Sequence, residues 1–125
     1  MRLLLDSHIL IWLMEADERL TPEARAIISD ATEVFASTAS LWELAIKAGL
    51  GKLDLDVERL ASLLDTAGVS ELQITRRHVL EVARLPLHHR DPFDRLLVAQ
   101  AKAEIMRLMT NDARLSPYTD LVVRV

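Results

Sequence analysis

Residues 90–101 read Arg90-Asp91-Pro92-Phe93-Asp94-Arg95-Leu96-Leu97-Val98-Ala99-Gln100-Ala101, and the class of the whole chain turns on them. Asp91 has the side chain of a helix cap, and Pro92 suits the first helical position, where its missing N–H costs nothing. Asp94 follows on the first turn. Behind it come Leu96, Leu97, Val98, Ala99, Ala101, Ala103 and Ile105. That is too apolar all round for a surface helix, so a helix buried on most sides is expected. A carboxylate at its mouth either serves the helix dipole or points at something else. This stretch alone leaves both open.

Upstream of it, Pro86 breaks a helix that Thr75 caps and that carries His78, Val79, Val82 and Ala83. The loop Leu87-His88-His89-Arg90 bridges the two. Downstream, Arg107-Leu108-Met109-Thr110 reads as a strand ending at Asn111-Asp112, and Leu121-Val122-Val123 as the last strand. The chain opens with the strand Arg2-Leu3-Leu4-Leu5, closed by Asp6-Ser7. An unbroken apolar run, rather than an alternating one, suits a parallel sheet covered on both faces. Ile9–Met14 is then a helix carrying Trp12. Thr21 caps a helix with Pro22 at its first position, and Glu33–Ala36 is a second strand. A helix follows over Leu41–Ala48, with Gly49 as its C-cap. Val57–Leu64 is an amphipathic helix ended by Gly68, and a short strand is expected over Glu71–Ile74. Strands alternate with helices throughout, which predicts an α/β fold with a mainly parallel sheet.

With 125 residues the chain is expected to be one domain, spanning residues 1–125. A chain of this size buries roughly two-thirds of its unfolded surface, enough for a core without staples. There is no cysteine. That excludes disulfides and thiolate metal sites, and it fits a cytoplasmic setting. Leu3-Leu4-Leu5 is interrupted by Asp6 and His8, unlike a signal peptide, and no run approaches the ~20 apolar residues of a membrane helix. A net charge of −4 argues against a broadly basic nucleic-acid clamp. A nuclease whose acids are neutralised by cations remains compatible with it.

Asp6 follows the first strand, Asp112 follows the late strand Leu108–Thr110, and Glu43 sits in the first turn of the helix after the second strand. In an open α/β sheet those positions share one edge, where ligands bind. Asp94 joins them if its helix docks there. Each acid also has a structural reading. Ser40-Leu41-Trp42-Glu43 matches a capping box, and Asp6 or Asp112 could open a turn. All of them on one edge would repel and raise each other's pKa unless a cation held them. An all-carboxylate cluster suits Mg²⁺ or Mn²⁺. The Gly49-Leu50-Gly51-Lys52 stretch lacks phosphate-loop spacing and reads as a turn.

The chain resembles the VapC family of PIN-domain ribonuclease toxins. The resemblance lies in Leu3-Leu4-Leu5-Asp6-Ser7-His8 with Trp12, in Ser37-Thr38-Ala39-Ser40-Leu41-Trp42-Glu43-Leu44-Ala45-Ile46-Lys47, in His89 through Leu97 with Ala99-Gln100-Ala101, and in Thr110-Asn111-Asp112. It implies a three-layer α/β/α sandwich with a mainly parallel central sheet. It also implies an Mg²⁺- or Mn²⁺-dependent endoribonuclease acting on RNA phosphodiester bonds, a cognate antitoxin, a homodimer and no membrane association. By the same resemblance Asp6, Glu43, Asp94 and Asp112 form the catalytic and metal-binding set. Asp6 and Asp94 then read as direct ligands, Glu43 as a ligand or as the base taking the attacking water's proton, and Asp112 as holding a second ion or its waters. Ser7 takes the small-hydroxyl position beside the first acid, and Asp91 stays the helix cap.

Candidates for guiding the RNA backbone are Lys47, Lys52, Arg90 and Arg95, beside His88 and His89; the alternative for each is a solvated charge, with Arg95 the strongest exception. Adjacent loop histidines seldom both ligate one ion, so His88 and His89 are not expected to bind metal. Arg76-Arg77-His78 reads as a helix start facing water, and Trp12 and Trp42 as core or partner-facing residues. Two alternatives belong to other classes: a non-catalytic PIN-like binding scaffold and a receiver-like phosphorylatable signalling domain. The second needs adjacent acids after the first strand, where this chain has only Asp6-Ser7, and a lysine closing a late strand.

Overall fold

A computed structural model describes residues 1–125. Strand β1 (Arg2–Leu5) leads into α1 (Ser7–Met14) and α2 (Pro22–Asp30); β2 (Glu33–Ser37) leads into α3 (Thr38–Gly49) and α4 (Val57–Thr66). After β3 (Ser70–Leu72) come α5 (Arg76–Arg84) and α6 (Pro92–Glu104). Strand β4 (Arg107–Thr110), a 3₁₀ helix (Ala113–Tyr118) and β5 (Val122–Arg124) complete the chain. The sheet order is β3-β2-β1-β4-β5, with every neighbouring pair parallel. This is an α/β/α sandwich.

The unbroken apolar reading of β1 has a direct structural cause. Successive strand residues point to opposite faces, and here both faces are covered. Leu3 and Leu5 join Ala36 and Met109 in a core with α1, α2, α3 and α4. Leu4 joins Phe35 and Leu108 in a second core with α6, Leu85 and the 3₁₀ helix. Helix α6 carries five consecutive buried residues, Leu97 to Ala101, so burial on most sides holds. Its start is as read: Asp91 accepts hydrogen bonds from the N–H groups of Phe93 (2.8 Å) and Asp94 (3.1 Å).

Several boundaries differ from the sequence reading. Helix α3 begins at Thr38, because β2 runs on to Ser37, which becomes the cap. Ser40 is therefore inside the helix and buried, and Glu43 lies on the second turn rather than the first. Gly49 is the last helical residue; the left-handed turn is made at Gly51, with φ +72°. Strand β3 starts at Ser70, one residue earlier than read, two positions after the left-handed Gly68. Ile105 ends α6 in a left-handed conformation and is exposed, so the buried face stops short of it. No helix is long and apolar enough to cross a membrane.

Candidate active site

The strand order reverses direction between β1 and β4, and ligands in such sheets bind at the carboxyl ends beside that switch. Asp6 stands there at the end of β1. It caps α1, its Oδ1 accepting the Ile9 N–H at 3.2 Å, while Oδ2 accepts the Thr110 hydroxyl from the end of β4. Burial pushes the Asp6 carboxyl up, and the Thr110 hydrogen bond partly offsets this. From α3, Glu43 reaches the same place. Ser7 donates to its Oε1 at 2.7 Å, and the Lys47 ammonium lies 3.1 Å from Oε2.

Asp94 comes from the first turn of α6, and the imidazole Nε2 of His89 lies 2.9 Å from its Oδ2. Its carboxyl is pushed up to about 6, mainly by burial, against the His89 hydrogen bond and with further lifts from Asp91, Glu43 and Asp6. Asp112 caps the 3₁₀ helix and grips Arg114 with both oxygens, which holds it down at about 2. All four predicted acids line one cleft of about 160 Å³ that has no hydrophobic wall. Asp91 lines it too, so five carboxylates face the two cations Lys47 and Arg114.

This cleft fits a hard divalent cation. Its donors are carboxylate oxygens, its walls are polar, and the repulsion among Asp6, Asp94 and their neighbours has no sufficient internal counter-charge. The donor atoms of Asp94, Asp112 and His89 lie within 4.8 Å of one another. Asp6 and Glu43 line the cleft beside them. A larger hollow between α1 and α4, about 370 Å³, has an apolar floor of Ile11, Met14, Leu55, Leu60 and Leu63. It gathers no comparable set of reactive groups.

Other expectations need correction. Arg95 is not free for a phosphate, because its guanidinium donates to the carbonyls of Pro86 (2.9 Å), Val82 (3.3 Å) and Leu85 (3.5 Å). It caps the end of α5. Lys47 is paired with Glu43, whereas Lys52 and Arg90 are exposed. His78 does not face water: it is buried, closes a capping box with Thr75, and lies 3.3 Å from Glu104. Of the two readings given to the tryptophans, Trp12 is core, while Trp42 is 59% exposed, which removes only the core reading for it, and meets Phe93 edge-on at 5.1 Å. The two histidines part company. His88 packs its ring on Tyr118 at 4.9 Å, and only His89 reaches the acids, beside Asp94 and Asp112.

Sequence reasoning missed Thr110, Tyr118 and Arg114 as parts of the site. Thr110 could have been found, since it ends a strand that must lie beside Asp6. Nothing local marked Tyr118, whose partners are 29 and 30 residues away.

The PIN domain family model matches residues 3–120. Ribonuclease VapC22 of Mycobacterium tuberculosis is 34% identical over 117 residues, covering 92% of this chain and 90% of that protein. Among solved structures, VapBC2 from Rickettsia felis bound to a DNA fragment from their promoter superimposes with a TM-score of 0.71 at 16% identity, covering 100% of this chain and 98% of that one. DNA-bound VapBC from Salmonella typhimurium gives 0.71 at 14% identity, covering 100% and 97%. The receiver-like alternative has no lysine at the end of β4, which closes with Thr110.

Proposed function

The chain belongs to the PIN-domain family and within it to the VapC ribonuclease toxins, and from this premise we propose that Asp6, Glu43, Asp94 and Asp112 are its catalytic, metal-holding set. The observation that carries the proposal is the convergence of five carboxylates in one polar cleft, where Asp94 is pushed up to about 6, mainly by burial and further by its acidic neighbours. Asp6 and Asp94, which have no lysine or arginine partner of their own, would hold Mg²⁺ or Mn²⁺ directly. The ion supplies Lewis acidity and positive charge against the phosphate when bound. Glu43, aimed by Ser7 and Lys47, takes the proton from the attacking water. The water oxygen bonds to phosphorus, the bond to the 3′ oxygen breaks, and that oxygen takes a proton from solvent while Glu43 returns its own to solvent. The 2′-hydroxyl is not consumed, so the products carry 5′-phosphate and 3′-hydroxyl ends. Asp112 and Arg114 border the place where the strand would lie.

On this reading RNA is the substrate, a cognate antitoxin blocks the cleft, and residues 1–125 act as one PIN domain within a cytoplasmic homodimer. A five-carboxylate cleft is complementary to a basic side chain of such an antitoxin. The test is cleavage of total RNA by purified protein with Mg²⁺, with Mn²⁺ and with chelator, beside Asp94→Asn. Discrete fragments with 5′-phosphate ends, lost with chelator and in the variant, are expected. Full activity in a well-folded Asp94→Asn protein would sink the assignment.

A further inference from the structure

Asp94 is held by more than its helix. Its Oδ2 lies 2.9 Å from Nε2 of His89, and the two side chains are only 20% and 11% exposed. The segment that carries His89, between α5 and α6, has no secondary structure of its own. A side chain on an untethered loop would not aim reliably. This loop is tethered. The backbone N–H groups of His88 and His89 donate to the Tyr118 hydroxyl oxygen at 3.1 and 2.8 Å, and that hydroxyl donates to the His89 carbonyl at 3.2 Å. Arg95 Nη1 also reaches the hydroxyl, at 3.3 Å. The phenol is a donor and an acceptor, and here it gives one bond while three donors crowd its oxygen, so none of its capacity is left over. The Tyr118 ring is itself buried in the second core.

We infer that Tyr118 and His89 are positioning residues for Asp94: the tyrosine hydroxyl fixes the loop, and the imidazole N–H fixes the carboxylate. The inference rests on the proposed role of Asp94 as a cation ligand. The bond to Oδ2 fixes the tautomer, with the proton on Nε2, and leaves Oδ1 for the cation. Outer hydrogen bonds of this kind orient a ligand before the ion arrives, and losing one typically costs 10–100-fold in metal affinity or activity. The competing arrangement is an imidazole that ligates the ion directly, since the donor atoms of His89, Asp94 and Asp112 lie within 4.8 Å of each other. Two observations speak against it. Nε2 is already engaged with Asp94, and both oxygens of Asp112 are engaged by Arg114.

The experiment compares Mn²⁺ binding by the full chain and by His89→Ala, His89→Gln and Tyr118→Phe, using electron paramagnetic resonance, with melting curves as a folding control. His89→Ala is expected to weaken Mn²⁺ binding about tenfold or more. His89→Gln, which keeps an N–H donor, should recover part of that loss. Tyr118→Phe keeps the ring in the core and should weaken binding less than His89→Ala does. In total-RNA cleavage, excess Mn²⁺ should rescue each variant, which a general loss of structure would not allow. Unchanged Mn²⁺ affinity in folded His89→Ala would overturn the inference. So would nitrogen hyperfine coupling to bound Mn²⁺, because it would make His89 a ligand. If wild-type protein bound no Mn²⁺, the proposed function would fall with it. Binding in wild type with no difference among the variants would sink this inference alone.

Discussion

Asp94 and Asp112 are the same residue type in the same cleft, and their surroundings drive them in opposite directions. Asp94 is largely buried among Asp91, Glu43 and Asp6, with one imidazole for company, and its carboxyl is pushed up to about 6. Asp112, with a side chain about as exposed (22% against 20%), holds Arg114 in a two-pronged pair and is held down at about 2. Lys47 pairs with Glu43, so Asp6 and Asp94 have no cation of their own, whereas Asp112 has Arg114. The difference says where an added divalent ion does most: between Asp6 and Asp94, where it offsets repulsion that the fold leaves standing. An ion at Asp112 must first displace a guanidinium.

The largest break in this comparison comes from removing a charge on the uncompensated side. Asp94→Asn or Asp6→Asn should lower RNA cleavage about a thousandfold or more, on the order of 4 kcal/mol in the barrier. Single-turnover cleavage at saturating Mn²⁺ measures it. The matching change on the compensated side, Asp112→Asn, should cost far less. Equal losses at Asp94 and Asp112 would erase the distinction between the two halves.

Next in size is a pH effect in metal-free protein. Asp94 has a folded pKa of about 6 against an ordinary 3.8, so the folded state binds its proton more tightly than the unfolded chain does. Stability should therefore fall as pH rises from about 4 to about 6, by roughly 2–3 kcal/mol from this one group. Asp112, at about 2, works the other way: its contribution is present above 3.8 and is lost as pH falls through 2. Melting temperatures in chelator from about pH 2 to about pH 7.5, for wild type and Asp94→Asn, separate the two. The variant should lose the decline above pH 4 and melt higher than wild type at pH 7. A wild-type curve that rises steadily with pH would refute the assigned burial of Asp94. Mn²⁺ should restore stability at neutral pH, because it binds only the folded cluster.

A smaller effect is expected at Thr110. Its hydroxyl donates to Oδ2 of Asp6, and hydrogen bonds to charged groups contribute about 1.5–3 kcal/mol. Thr110→Val keeps the shape and removes the donor. It should lower cleavage about tenfold at sub-saturating Mn²⁺, a loss of roughly 1.4 kcal/mol, with partial recovery at high Mn²⁺. Activity equal to wild type at every Mn²⁺ concentration would remove Thr110 from the site.

The legible parts of this molecule are those whose signal is local. Leu3-Leu4-Leu5 announced a strand covered on both faces, and the structure sends alternate residues into two cores. Asp91-Pro92 announced the start of α6 because a cap and a proline act within one turn. The four acids converge in one cleft because a parallel sheet aligns strand ends, a rule that needs only the order of elements. Ambiguity entered where two residues competed for one job. Ser37 and Ser40 are both good caps, and the choice depended on how far β2 stayed paired with β3, up to Ser37 opposite Leu72. The illegible parts are contacts made across the fold. Tyr118 on the loop of His89, and Arg95 on the carbonyls of α5, meet their partners only after the core has formed.

The smallest and sharpest test sits on the compensated side, at Arg114. In Arg114→Ala, Asp112 loses its partner and its carboxyl should return toward the ordinary range. The cleft then sets five carboxylates against Lys47 alone. Arg114 is itself well exposed, so solvent screens the change and the effect is small. Mn²⁺ should bind up to about fivefold more tightly in the variant. RNA affinity, measured with Ca²⁺ in place of Mn²⁺, should weaken, because a cation beside the phosphate path is gone. The two shifts have opposite signs, so a general loosening of the fold cannot mimic them. Weaker binding of both would mean that Arg114 holds the 3₁₀ helix in place instead of balancing charge.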